Sequence, residues 1–167
     1  MAADATSVGP DLGISSGRTF VMTAAFEDDR SAILVEWVQQ CAQSPPMICV
    51  AVHKGRPIEP IIRDSRSFAL CEVPEDDLFL ERMLRRACEH DDDVLESIPH
   101  ESLRTGSPCI SRGGRVFDCE VMRHIDFEAD YELYIAQVVA SKTYEPRRAT
   151  PGRHNARRAR RSNLQAN

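Results

Sequence analysis

A chain of 167 residues with 42% hydrophobic and 28% charged side chains suits one domain around one core. No apolar run approaches the roughly 20 residues that span a bilayer. The first 16 residues, small and polar, lack the basic and apolar regions of a secretory signal, so a cytoplasmic protein is expected.

Residues 1–16 are rich in Gly, Pro, Ser and Ala and offer little to bury, which predicts a disordered start. Thr19–Phe26 reads as a strand, ended by the polar turn Glu27-Asp28-Asp29-Arg30. Ser31–Gln40 reads as a second strand forming a hairpin with the first. Its Trp37, the only tryptophan, is expected to anchor the core. Ser44-Pro45-Pro46 interrupts the pattern, since prolines donate nothing to a ladder. Met47–Val52 is a continuous apolar run, expected to be a strand buried on both faces.

His53–Pro57 is a basic loop and Ile58–Arg63 a short helical turn. Phe68–Val73 is a further strand. Pro74 and the acidic triplet Glu75-Asp76-Asp77 then open a helix to His90, with Leu78, Leu80, Met83, Leu84 and Ala87 as its apolar stripe. Residues 91–107 read as irregular. Pro108–Ser111, Val116–Ile125 and Glu132–Lys142 are strand candidates. About six strands with one substantial helix predict a mainly β protein with minor α, built as a closed or split barrel.

From Arg147 onward there are seven arginines and no acid; taking them from the 21 basic residues leaves 14 against 26 acidic, a balance of −12 for the body. A basic tail without an aromatic stacking residue is read as a solvated extension rather than a nucleic-acid contact. The six cysteines form no CxxC pair and no zinc spacing, so all are read as reduced thiols and no metal site is expected. Cys41 is assigned to packing. His90, His100 and His124 are read as surface or structural, and the acids around Asp91 as a solvated helix end.

The run Glu36–Arg63, EWVQQCAQSPPMICVAVHKGRPIEPIIR, resembles the flavin reductase-like family of FMN-binding split β-barrels, without a gap over its 28 residues. The shared positions are Trp37, Val38, Gln40, Pro45, Pro46, Val50, Ala51, Lys54, Ile62 and Arg63. Phe68–Val73, residues 115–121 and residues 130–139 continue the likeness in order and spacing. It covers roughly residues 18–143.

The resemblance implies three segments: a disordered 1–16, a split-barrel domain over 17–145 and a disordered arginine-rich tail over 146–167. It implies an FMN site on the strand and loop ending at the double proline, at Val35, Glu36, Trp37, Gln39, Gln40, Cys41 and Ala42. It places the phosphate at Lys54, Gly55 and Arg56, where cations flank a residue that lets the backbone approach. It implies NADH or NADPH as co-substrate, free flavin or another acceptor as partner, and a homodimer; it assigns no catalytic residue. Where the family usually has small hydroxyls, this chain has Glu36, Gln39, Ala42 and Ile58. Where many reductases of the family have a His before the last strand, it has Tyr131. Three readings follow: an NAD(P)H-dependent oxidoreductase, a non-enzymatic FMN carrier, or a split barrel that binds without a cofactor.

Overall fold

The hairpin expected around Glu27 forms. Strand β1 (Phe20–Phe26) turns through Glu27 and Asp28 into β2 (Asp29–Val35), with Phe26 opposite Asp29. The computed structural model describes residues 8–15, 17–90, 93–112 and 114–145, and leaves out the side chains of 87–90. The disorder expected of residues 1–7 and of the arginine-rich tail 146–167 lies outside the described residues.

The second strand does not run on to Gln40 as expected. It ends at Val35, and β3 (Val38–Gln43) starts after Glu36 and Trp37. The ladder explains the break: β2 pairs with β1, whereas β3 pairs with β4 (Pro46–His53), so the chain changes partner between them. In β4 only alternate residues, Ile48, Val50 and Val52, are buried, and Met47, Cys49 and Ala51 are half-buried on the other face. The run expected to be covered on both sides thus has a wet face.

Helix α1 (Ile58–Ser65) buries Ile58, Ile61 and Ile62, an i, i+3, i+4 stripe, and stops where Arg66 turns left-handed and donates its N–H to the Ile62 carbonyl. Strand β5 (Ser67–Glu72) follows, fully buried. Helix α2 (Leu78–His90) starts later than Pro74 suggests: the Asp77 carboxylate accepts the Leu80 N–H at 3.0 Å and caps it. Leu80 and Leu84 face inward, and Leu78 and Phe79 are exposed. A one-turn 3-10 helix (Val94–Glu96) and β6 (His100–Ser102) occupy parts of the stretch read as irregular, and β7 (Pro108–Ile110) falls on the strand expected at Pro108–Ser111; β8 (Gly114–Asp126) and β9 (Tyr131–Tyr144) form a long hairpin.

Seven strands make one sheet in the order β2-β1-β5-β8-β9-β4-β3, and β6 and β7 pair separately. The outermost strands, β2 and β3, are consecutive in sequence. Glu36 and Trp37 alone join them, so their ends lie within about 11 Å. A seven-stranded sheet whose edges meet so closely has to roll up. No ladder closes β2 on β3, so the barrel is split along a seam, and Glu36-Trp37 crosses it.

Phe20, Met22, Ile48, Val50, Phe68, Leu70 and Ala136 fill the barrel, with α1 against them. A second core, from Val21, Ala69, Cys71 and Val116, is covered by α2, the 3-10 turn and β7. Burial pushes the Cys71 thiol up to about 12. The described cysteines Cys41, Cys49, Cys71, Cys109 and Cys119 are free thiols.

Residues 8–15 form no regular element, yet Leu12 is buried in the barrel core. Gln40 accepts the Leu12 N–H at 3.0 Å and donates to the Pro10 carbonyl at 2.6 Å. Arg115 donates to the carbonyls of Leu12 and Gly13 and to Glu72. Burial works to raise the Glu72 pKa, but the hydrogen bond and charge of Arg115, with Arg18 beside it, win and hold the carboxyl below its usual range. Gly114, where β8 begins, has φ +81°, and an added Cβ would sit 2.6 Å from the Glu72 carbonyl oxygen. Gly114→Ala is therefore expected to cost at least about 2 kcal/mol in urea unfolding, from left-handed strain plus the clash with fixed backbone.

Candidate functional site

The seam opens onto a groove of about 580 Å³. Its walls are the end of β2 (Ile33–Val35), the link Glu36-Trp37, the end of β4 (Ala51, His53), the loop Gly55–Pro57, Arg85 of α2 and Tyr131 at the start of β9. Antiparallel pairing brings the distant parts together, since His53 lies opposite Tyr131 across β4 and β9.

Trp37 is not the core anchor its hydrophobicity suggested; it is 62% exposed. The backbone explains this. The Trp37 carbonyl accepts the Ala51 N–H at 3.0 Å, so the link is held against β4 at the seam rather than inside the barrel. The indole stacks on Tyr131 with ring centroids 4.7 Å apart and planes 30° apart. His53 meets the same Tyr131 edge-on at 5.2 Å. The three rings form an aromatic wall, open on one side.

Of the ten residues the resemblance singled out, five line the groove: Val35, Glu36, Trp37, Gly55 and Arg56. Gly55 takes φ +80°, which lets the loop turn back. The other five point to different work or lie elsewhere. Gln40 holds the N-terminal segment. Lys54 forms an ion pair with Asp126 and donates to the Phe127 carbonyl, which fastens β4 to the β8–β9 turn. Gln39, Cys41 and Ala42 sit on β3, the sheet edge, outside the groove wall. Burial and the neighbouring Cys41 raise the Cys49 pKa.

His53, Arg85 and Tyr131 were not among the expected contacts. Tyr131 stands out only as the residue at the family's usual His position. Nothing in the sequence ties Arg85 to the groove, because only the packing of α2 brings it there.

On the other face of β9 lies a smaller cavity, about 150 Å³, lined by Glu59, Ile62, Arg63, Arg66, His124, Glu132 and Tyr134 among others. Glu132 is buried; it accepts the Tyr134 hydroxyl at 2.5 Å and lies 2.6 Å from His124 Nε2. Burial, with the Glu132 carboxylate beside it, pushes the Tyr134 pKa up. Among the described residues no buried side-chain polar atom lacks a partner, which reads as a structural network.

The groove suits a planar ring bearing an anionic group: it has an aromatic wall and two guanidinium groups, and its volume falls within the usual range of small-molecule sites. A family model for the flavin reductase like domain matches residues 12–162. Diflavin flavoprotein A 1 of Synechocystis sp. is 25% identical over 145 residues, covering 86% of this chain and 25% of that protein. The chain thus spans about a quarter of the length of the curated relatives it matches. Among solved structures, the FMN-binding protein from Thermus thermophilus superposes with a TM-score of 0.67 at 18% identity, covering 86% of this chain and 80% of that one. The Streptomyces globisporus NADH:FAD oxidoreductase, solved with NAD and FAD fragments, gives 0.67 at 15% identity, covering 76% and 74%. These likenesses match the rolled, mainly β sheet described above. The chain belongs to the flavin reductase-like domain family.

Proposed function

We propose that the groove at the seam binds FMN and that the domain is an NAD(P)H-dependent oxidoreductase. It would pass reducing equivalents through the flavin to free flavin or another acceptor. The carrying observation is the convergence of the Trp37–Tyr131 aromatic wall and the Gly55-Arg56 loop on one groove, in a chain of this family. Bound FMN would supply the hydride and electron chemistry; the chain supplies binding and orientation. Val35, Glu36, Trp37, Gly55 and Arg56 serve as contacts in this reading. Gln40 and Lys54 hold the scaffold, and Gln39, Cys41 and Ala42 stand behind it on β3.

The carrier reading has one observation in its favour: the first residue of β9 is Tyr131, a phenol packed on Trp37, not an imidazole. Anaerobic mixing of FMN-loaded protein with NADH and with NADPH separates the two. Prompt bleaching near 450 nm, about where oxidised flavin absorbs, is the expected result. Stable colour with both nicotinamides leaves a carrier, and protein that takes up no flavin on titration ends both readings. By its family the protein pairs as a cytoplasmic homodimer in this proposal, which sedimentation velocity checks. Among the described residues, no helix is long and apolar enough to cross a membrane.

A further inference from the structure

We propose that His53 is the groove's switchable hydrogen-bond donor, and that its protonated imidazole holds the reduced, anionic form of a bound flavin against the Trp37–Tyr131 wall. The inference rests on the flavin reading above and names a residue that favours one redox state of that ligand.

His53 ends β4, lines the groove and is exposed. Its ring meets Tyr131 edge-on at 5.2 Å, and Tyr131 stacks on Trp37, so the imidazole belongs to the wall that suits a planar ligand. Its Nδ1 lies 2.9 Å from the Lys54 carbonyl oxygen. A carbonyl only accepts, so Nδ1 carries a proton and Nε2 is the nitrogen left for a ligand. Among the described residues, Nε2 makes no hydrogen bond. Neutral, it offers a lone pair; protonated, it offers a donor with a positive charge.

The charges around His53 make that proton count. Glu36 sits beside Trp37 on the same groove and makes no hydrogen bond or ion pair among the described residues. Its carboxylate opposes the negative charge that hydride from a nicotinamide leaves on a flavin ring. Lys54, next on the chain, is engaged by Asp126 and the Phe127 carbonyl and lies off the groove wall. Across the β4–β9 ladder, Glu132 is bound to His124 and Tyr134, and Asp130 meets Lys54 through its backbone carbonyl. Arg56 from the loop and Arg85 from α2, itself paired with Glu81, stay charged at every working pH and add a constant pull. His53 is the groove cation that solvent can load and unload. Reduction then adds one hydride, two electrons with one proton, to the ring, and one further proton passes from solvent to Nε2. No covalent bond forms between His53 and the ring.

The test is run at about pH 8, where an ordinary imidazole is neutral. Oxidised FMN and dithionite-reduced FMN are titrated anaerobically into the full chain and its variants, with thermal melting to confirm folding. His53→Ala is expected to weaken reduced FMN about tenfold relative to oxidised FMN, the size of one charge-assisted hydrogen bond. For a two-electron couple, that lowers the midpoint of the bound flavin by about 30 mV. His53→Gln, a donor without a charge, should recover only part of the loss. Glu36→Gln should shift the ratio the other way, by severalfold. In the wild type, nitrogen NMR should find both His53 ring nitrogens protonated with reduced FMN, and Nε2 bare with oxidised FMN. An unchanged ratio in folded His53→Ala, or a bare Nε2 beside reduced FMN, would overturn the assignment and leave flavin binding standing. Binding of neither form of FMN would overturn the flavin reading and this assignment with it.

Discussion

Replacing Asp118 by Ala is expected to destabilise the protein by about 3 kcal/mol, and to lower its melting temperature by roughly 6 to 12 °C for a domain of this size. Asp118 lies in the middle of β8 and is fully buried. A carboxylate there would be costly without partners. It has three: the backbone N–H groups of Arg104 and Thr105 at 2.7 and 2.8 Å, and the Thr105 hydroxyl at 2.5 Å. One side chain therefore folds the loop between β6 and β7 onto the sheet. Alanine would leave those donors without their acceptor and open a small void. Asp118→Asn keeps one carbonyl acceptor and should lose about half as much. Urea unfolding of the three proteins, with unchanged slope, checks both values. A drop below about 1 kcal/mol for the alanine variant would mean that water replaces the carboxylate.

Trp37→Ala is expected to lower flavin affinity by one to two orders of magnitude, the range of base–aromatic stacking, about 1–3 kcal/mol. The indole is mostly exposed and already stacked on Tyr131, so it offers a flat ring held in place before a ligand arrives. The same exposure predicts little change in stability, because few buried contacts are lost. Titration of FMN into the variant, beside its melting curve, separates the two effects. Unchanged affinity would put the flavin ring elsewhere in the groove. A large fall in melting temperature would show that the indole holds the seam together.

Much of the architecture was legible in the residues. The Glu27–Arg30 turn, the break at Ser44–Pro46 and the apolar runs of β4, β5, β8 and β9 mark local preferences that tertiary packing reinforced. What local pattern could not show was where a strand changes partner. Ser31–Gln40 carries one continuous β signal, yet Glu36 and Trp37 interrupt it because the two halves pair at opposite edges of the sheet. Trp37 was misplaced for the same reason: a lone tryptophan in an apolar run looks like core until the seam is known.

The site was half legible. Resemblance led to Val35, Glu36, Trp37, Gly55 and Arg56, which line the groove. Lys54 next to Gly55 looked equivalent to Arg56, but the chain turns at Gly55, and Lys54 meets the β8–β9 hairpin while Arg56 lines the groove. Gln40 carried a shared motif and yet ties down the N-terminal segment, a bond no spacing rule reveals. Arg85 reached the groove through helix packing alone.

The rolled sheet also governs how the chain reaches its native state. Three hairpins, β1–β2, β3–β4 and β8–β9, join neighbours in sequence and can form early. The ladder that completes the sheet joins β4 to β9, pairing Met47 with Gln137, and it gains nothing until the long stretch between them is in place. Such distant pairing puts folding in the range of milliseconds to seconds. Until then β4 lacks its β9 neighbour, so the groove wall at Ala51, His53 and Tyr131 is assembled only with that late ladder.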